Sequence, residues 1–125
     1  MFRIGVLVAH AITELVVAAL MWGAPSMFFP SPDAETVGLA RSFGVGAGSV
    51  GVLSVLLVPW GRAEAGFVGA LTLAAYQLGI FVTQLVRPME GVPAWVPPAF
   101  HAAFVVSFCV LAARARREME SDRRG

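Results

Sequence analysis

Four runs of this chain, about residues 2–22, 36–60, 65–86 and 98–113, are long and almost wholly apolar. No other feature constrains the fold as strongly. A helix that crosses roughly 30 Å of hydrocarbon needs about 20 mainly apolar residues. Inside lipid each backbone amide must also find its partner within the protein, which a helix provides. The chain is 58% hydrophobic and 14% charged, with a mean hydropathy of +0.76. A soluble domain carries roughly 25% charged residues. The 125 residues allow one domain. The expected fold is all-α: a four-transmembrane-helix antiparallel bundle over residues 1–113, followed by a charged cytoplasmic tail at 114–125. Membrane lipid is the expected partner, and nucleic acid is not.

The ends of the runs carry their own signals. Arg3 followed by an apolar stretch imitates a signal peptide, but His10 and Glu14 interrupt it. The cleavage point it would use, after WGA at 22–24, has Trp22 where a small residue is needed. The segment reads as a retained span that stops at Gly23 and Pro25. Ser31-Pro32-Asp33 reads as a helix start, with Ser31 as N-cap, Pro32 in the first helical position, and Asp33 and Glu35 near the positive end of the dipole. The fourth run is the shortest. Short connections make successive helices antiparallel neighbours.

Orientation follows the cations. There is no lysine, and all nine basic residues are arginine. Arg3, Arg62, Arg114, Arg116, Arg117, Arg123 and Arg124 fall on one side of the expected bundle. Arg87 falls on the other, offset by Asp33, Glu35 and Glu90. By the positive-inside rule both termini are cytoplasmic, in a multi-pass protein of the cell membrane. Trp22 and Trp95 are then expected at the outer interface and Trp60 at the inner one. The single cysteine, Cys109, excludes an intramolecular disulfide and a cysteine metal cluster. It reads as a small packing residue.

GAGSVG, residues 46–51, fits the GxGxxG pattern of dinucleotide sites. That fingerprint needs a strand before it and a helix opening at it, whereas here it lies inside an apolar span. Close helix packing is the better reading. Gly44 and Gly48, and Ala47 and Gly51, put small residues one turn apart so that backbones can approach. The neighbour that uses the Gly44–Gly51 face stays open: another helix of this chain, a second copy in a homodimer, or a partner membrane protein.

The polar residues inside the spans are the candidates for function. A charge at the bilayer centre costs about 2.5–3.5 kcal/mol on insertion scales, so Glu14 must face protein and have a partner. Counted from the ends of their helices, Glu14 lies about 15 Å deep and Arg41 about 12 Å, which suggests an ion pair or a shared network. Gln77 and Gln84 lie on one face of the third helix, with Tyr76 adjacent, and His101 is expected about 5 Å below the outer surface. These residues outline a polar pocket in the outer half of the bundle. Glu14, His10 and Arg41 are the candidate acid–base residues, and Tyr76, Gln77, Gln84 and His101 the candidate ligand contacts. His10 and Glu14 are spaced i, i+4, which suits a proton-handling pair. Two ligands are too few for a metal, so neither metal nor cofactor is expected. The chain has no GxSxG, HExxH or P-loop.

APSMFF, LARSFGVGAGSVGVLSVLL, AAYQLGIFV and HAAFVVSF, in that order, resemble the small four-helix membrane proteins of the DoxX-like type. Their second helix often opens with an arginine followed three residues later by glycine, matched here by Arg41 and Gly44. The resemblance covers the whole chain and implies a four-helix integral membrane protein of no particular activity. The chain is similar in a looser way to the small multidrug resistance transporters. These also have four spans and carry an essential glutamate in the first, a role that Glu14 matches. The lysine after that glutamate and the tryptophan- and tyrosine-rich third helix of those transporters are missing here.

Three functions fit these residues. The first is a membrane protein that binds a lipophilic small molecule and transforms it by acid–base chemistry, as an isomerase, cyclase or hydrolase of a terpenoid, polyketide or quinone-like substrate. The second is a proton-coupled small-molecule transporter. The third is a non-catalytic accessory subunit of a larger membrane complex.

Overall fold

The computed structural model describes residues 1–59, 63–86 and 93–124. Trp60, Arg62, Arg87 and Glu90, which entered the orientation argument, lie outside them. The described residues are helical and contain no strand. They form two compact units, Met1–Val58 and Pro59–Gly125. The first holds α1 (Phe2–Gly23), a single 3-10 turn (Pro25–Met27) and α2 (Ala34–Leu57). The second holds α3 (Ala63–Val86) and α4 (Val96–Asp122).

All four helices are long and apolar enough to cross a membrane. At 22, 24, 24 and 27 residues they measure about 33 to 40 Å. Each buries one stripe and leaves the rest open. Leu7, His10, Ala11 and Glu14 are the buried set of α1, and Ala40, Gly44, Ala47, Gly51, Ser54 and Leu57 that of α2. The open faces carry Val8, Ile12, Val16, Phe43, Val45 and Val52, a surface that water would not tolerate and lipid does. The hydroxyls agree with this setting. Thr13, Ser42, Ser49, Thr72 and Thr83 each donate to the carbonyl one turn back in their own helix, so none needs water. The chain is built as a multi-pass membrane protein.

In the first unit α2 runs antiparallel to α1 in close contact. A Cβ at Gly44 would stand 3.2 Å from the Ala18 carbonyl oxygen, and one at Gly51 would stand 3.0 Å from Leu15 Cγ. The small-residue face of α2 is therefore filled by α1 of the same chain. Arg3 Nη2 donates to the Val58 carbonyl at 3.3 Å, tying the start of α1 to the exposed carbonyls at the end of α2. In the second unit Gln77 meets His101 and Gly66 meets Ala115, so α3 and α4 are antiparallel too. Phe108 and Leu73 are its largest fully buried apolar side chains.

The structure departs from the sequence reading at the start of α2 and at Cys109, and it extends α4. The N-cap of α2 is Asp33, not Ser31. Its Oδ1 accepts from the Thr36 amide at 2.7 Å, and this bond holds the exposed Asp33 carboxyl below its ordinary value. Ser31 has φ 52°, a left-handed turn conformation rather than the extended one a cap adopts. α4 is the longest helix although it holds the shortest apolar run, because Arg114 to Asp122 continue it without a break. Charge ends a membrane span but does not end a helix, and Arg116 and Glu120 pair at 2.9 Å on its surface. Cys109 is exposed on its unit, one position past the buried Phe108, and is not part of the unit's core.

Candidate functional site

The antiparallel register of the first unit sets which polar groups meet. Gly44 lies against Trp22 and Ala18, and Gly51 against Leu15 and Glu14. Three residues beyond Gly51, the same face of α2 presents Ser54, and opposite it stands His10. His10 Nδ1 lies 2.8 Å from Ser54 Oγ, and His10 Nε2 lies 3.4 Å from Glu14 Oε1. Ser54 Oγ also donates to the Val50 carbonyl at 3.1 Å. The three side chains are sealed from solvent, with His10 and Ser54 at 0% and Glu14 at 3% exposure. They form a row of serine hydroxyl, imidazole and carboxyl, with His10 and Glu14 near the middle of α1 and Ser54 three residues before the end of α2.

Sequence reasoning found His10 and Glu14 and missed Ser54. The signal was present. Gly44, Ala47 and Gly51 step by three and four along the face that contacts α1, and one more step of three reaches Ser54.

Arg41 does not stand at the level of Glu14. It is exposed, and its guanidinium lies 5.8 Å from the centre of the Trp22 ring, a cation–π contact. Glu14 is level with Gly51, and Arg41 is ten residues away along α2, about 15 Å. The ten residues from 24 to 33 between the helices explain the difference. They let α2 begin beyond the end of α1, so depths counted from each helix's own end are not on one scale.

The charge state of the row follows from where it sits. A carboxylate with a neutral imidazole leaves one net negative charge in an apolar surrounding. A single proton shared between Nε2 and Oε1 leaves none. The difference is of the order of the about 2.5–3.5 kcal/mol that a charge costs at mid-bilayer.

The second unit holds a separate polar contact. His101 Nδ1 meets Gln77 Oε1 at 2.5 Å; Gln77 is fully buried and His101 half-buried. The two are level, so depths counted from the ends of α3 and α4 are not on one scale either. Tyr76 is partly buried beside Gln77. One heptad on, the Gln84 amide oxygen is buried with no hydrogen-bond partner among the described residues. Along α4, Phe100 meets the His101 ring edge-on, and Phe100, Phe104 and Phe108 continue in edge-on and stacked contacts. Among the described residues no three His, Cys, Asp or Glu side chains come together as a metal centre would require.

Comparison with protein-family models, with curated proteins and with solved structures returned no match. The functional reading therefore rests on these side chains.

Proposed function

We propose that this chain is a small multi-pass protein of the cell membrane, with both termini in the cytoplasm, that couples a proton held by His10 and Glu14 to the binding and movement of a lipophilic small molecule. The observation that carries the reading is the sealed His10–Glu14 contact against Ser54. An ionisable pair in the middle of a span is costly to maintain, and a helix pair already held by the close glycine contacts does not need it for packing. Tyr76, Gln77, Gln84 and His101 supply hydrogen-bonding groups for the lipophilic molecule. The resemblance to DoxX-like proteins leaves the activity open and agrees with the membrane placement.

Proton coupling is favoured over isomerisation, cyclisation or hydration by the position of Arg41. Those reactions develop charge on an oxygen, and the guanidinium expected to stabilise it stands about 15 Å along α2 from the acid. Beside Glu14 stands the His10 base, itself in contact with the Ser54 hydroxyl, and such a row suffices for carrying a proton.

The test is ligand-linked proton movement in proteoliposomes enclosing a pH-sensitive dye, with tetraphenylphosphonium as a cationic probe and a short-chain quinone as a neutral one. The wild type should move protons when one of the probes binds, and Glu14→Gln should not. Equal proton movement in Glu14→Gln would refute the proposal.

A further inference from the structure

We infer that Arg41, held over the Trp22 ring, binds the phosphate of a membrane phospholipid in the leaflet where α1 ends and α2 begins. The inference stands apart from the proton reading of His10 and Glu14.

Register sets the depth of this site. Gly44 lies against Ala18, Met21 and Trp22, and Gly51 against Leu15 and Glu14. Arg41 is one turn nearer the start of α2 than Gly44, which puts it level with the last turn of α1. From Arg3 to Trp22, α1 measures about 29 Å, close to the roughly 30 Å of a bilayer's hydrocarbon. Arg3 marks one end of that length, bound to the Val58 carbonyl at 3.3 Å, and Arg41 marks the other. α2 begins about 10 Å beyond Arg41. That distance covers a headgroup layer of about 5–8 Å and brings the exposed Asp33 cap into water.

The guanidinium has its donors to spare. The Trp22 ring holds it 5.8 Å from the ring centre, a contact that takes none of its five N–H groups. Among the described residues Arg41 makes no hydrogen bond and no ion pair. Asp33 is engaged by the Thr36 amide at 2.7 Å, and Glu35 lies about 9 Å further up α2 and a third of a turn round. Helical side chains lean toward the N-terminus of their helix, which on α2 is the headgroup side. Gly38 and Ala34 follow Arg41 on that side of the same face and carry no competing group, and nothing stands within 4 Å of a Cβ built at Gly38. The anion found at this level of a bilayer is the lipid phosphate, which a guanidinium grips through two parallel N–H bonds. The surroundings select a lipid over a free phosphate ion. Val45, one turn toward the membrane interior, Val52, a heptad beyond it, and the Trp22 ring are exposed and apolar. Acyl chains cover them, and a free ion leaves them bare.

The experiment is carbon-13 to phosphorus-31 dipolar dephasing, by magic-angle-spinning NMR of the full-length protein labelled at arginine Cζ. The Arg41 signal is the one missing from Arg41→Lys or Arg41→Gln, and either variant suffices if the other does not fold. One sample holds the protein in phosphatidylglycerol vesicles in phosphate-free buffer. The other holds it in vesicles of a phosphorus-free galactolipid with inorganic phosphate added. The Arg41 signal should be lost to dephasing in the phospholipid sample, as a guanidinium nitrogen about 2.7–2.9 Å from a phosphate oxygen requires, and should persist in the galactolipid sample. An Arg41 signal that persists in phospholipid would overturn the inference, since the guanidinium then faces protein or water. Equal dephasing by inorganic phosphate would overturn it too, because the site would then take the free ion.

Discussion

Gly44→Ala is the substitution whose cost the structure specifies best. The added Cβ would stand 2.8 Å from Trp22 Cδ1, 3.2 Å from the Ala18 carbonyl oxygen and 3.2 Å from Met21 Cβ. The Trp22 ring is half-exposed and can swing away, at the loss of a cation–π contact with Arg41 worth about 0.5–1 kcal/mol at exposed sites. The Ala18 carbonyl belongs to the backbone of α1 and cannot, so the helices must part by a few tenths of an ångström. Overpacking of this kind costs about 1–3 kcal/mol. Against it stands the gain of roughly 0.5–1 kcal/mol for alanine over glycine inside a helix. The net expectation is a loss of about 1 kcal/mol. Gly46→Ala, on the same helix with nothing within 4 Å of its new Cβ, should keep only the gain. Reversible unfolding of the two variants in mixed micelles, followed by tryptophan fluorescence, should therefore separate them by about 2 kcal/mol. If Gly44→Ala is as stable as Gly46→Ala, the close approach of α1 and α2 at this register is wrong.

Further tests follow from the same contacts. Glu14→Gln and Arg41→Met should be additive within about 0.5 kcal/mol in a double-mutant cycle of unfolding free energies, since the two residues are about 15 Å apart along the helix pair. Strong coupling would restore the ion pair that the register excludes. Gln77→Leu and His101→Phe should instead be coupled by about 0.6 kcal/mol, typical of hydrogen bonds between membrane helices, and full additivity would count against the contact. Asp33 is held in its charged form by the Thr36 amide, so its capping contribution is present above the ordinary carboxyl value and is lost as pH falls through its lowered one. The protection of the Thr36 amide, its exchange rate relative to the intrinsic rate at the same pH, should fall on acidification in the wild type and be low at every pH in Asp33→Ala. Acid-insensitive protection of the Thr36 amide in the wild type would argue against the cap.

Much of the fold was legible in the sequence because the bilayer sets so strict a length and composition. The first span, expected at 2–22, is helical over Phe2–Gly23, and the third, expected at 65–86, over Ala63–Val86. The ends were harder. Hydropathy marks where an apolar run ends, and α4 stays helical beyond that point, through its i, i+4 pair of Arg116 and Glu120. At Ser31 and Asp33 two good capping residues compete, and only the backbone angles decide between them.

The candidate site was legible by residue type but not by pairing. His10 and Glu14 could be grouped because the spacing within one helix fixes their shared face. Gln77 and His101 could be named but not matched, and Arg41 was matched wrongly, because a match across helices depends on register. Register is set by where the connection turns and by which small residues let the backbones close, and neither is visible as depth below a surface. Ser54 was overlooked because a lone serine in an apolar run bonds its own helix, as Ser42 and Ser49 do. Only its place on the Gly44–Gly51 face distinguishes it from them.

The central claim is that the His10–Glu14 pair holds one exchangeable proton inside the membrane. The measurement that tests it most directly is a pH titration of the Glu14 carboxyl carbon and the His10 ring nitrogens, by magic-angle-spinning NMR of labelled protein in bilayers. The account predicts one proton shared by the pair at neutral pH, lost in a single reversible step as pH rises with the fold intact, and no such step in Glu14→Gln. A pair that shows a full carboxylate beside a neutral ring at neutral pH, or one whose protonation never changes while the chain is folded, would contradict it.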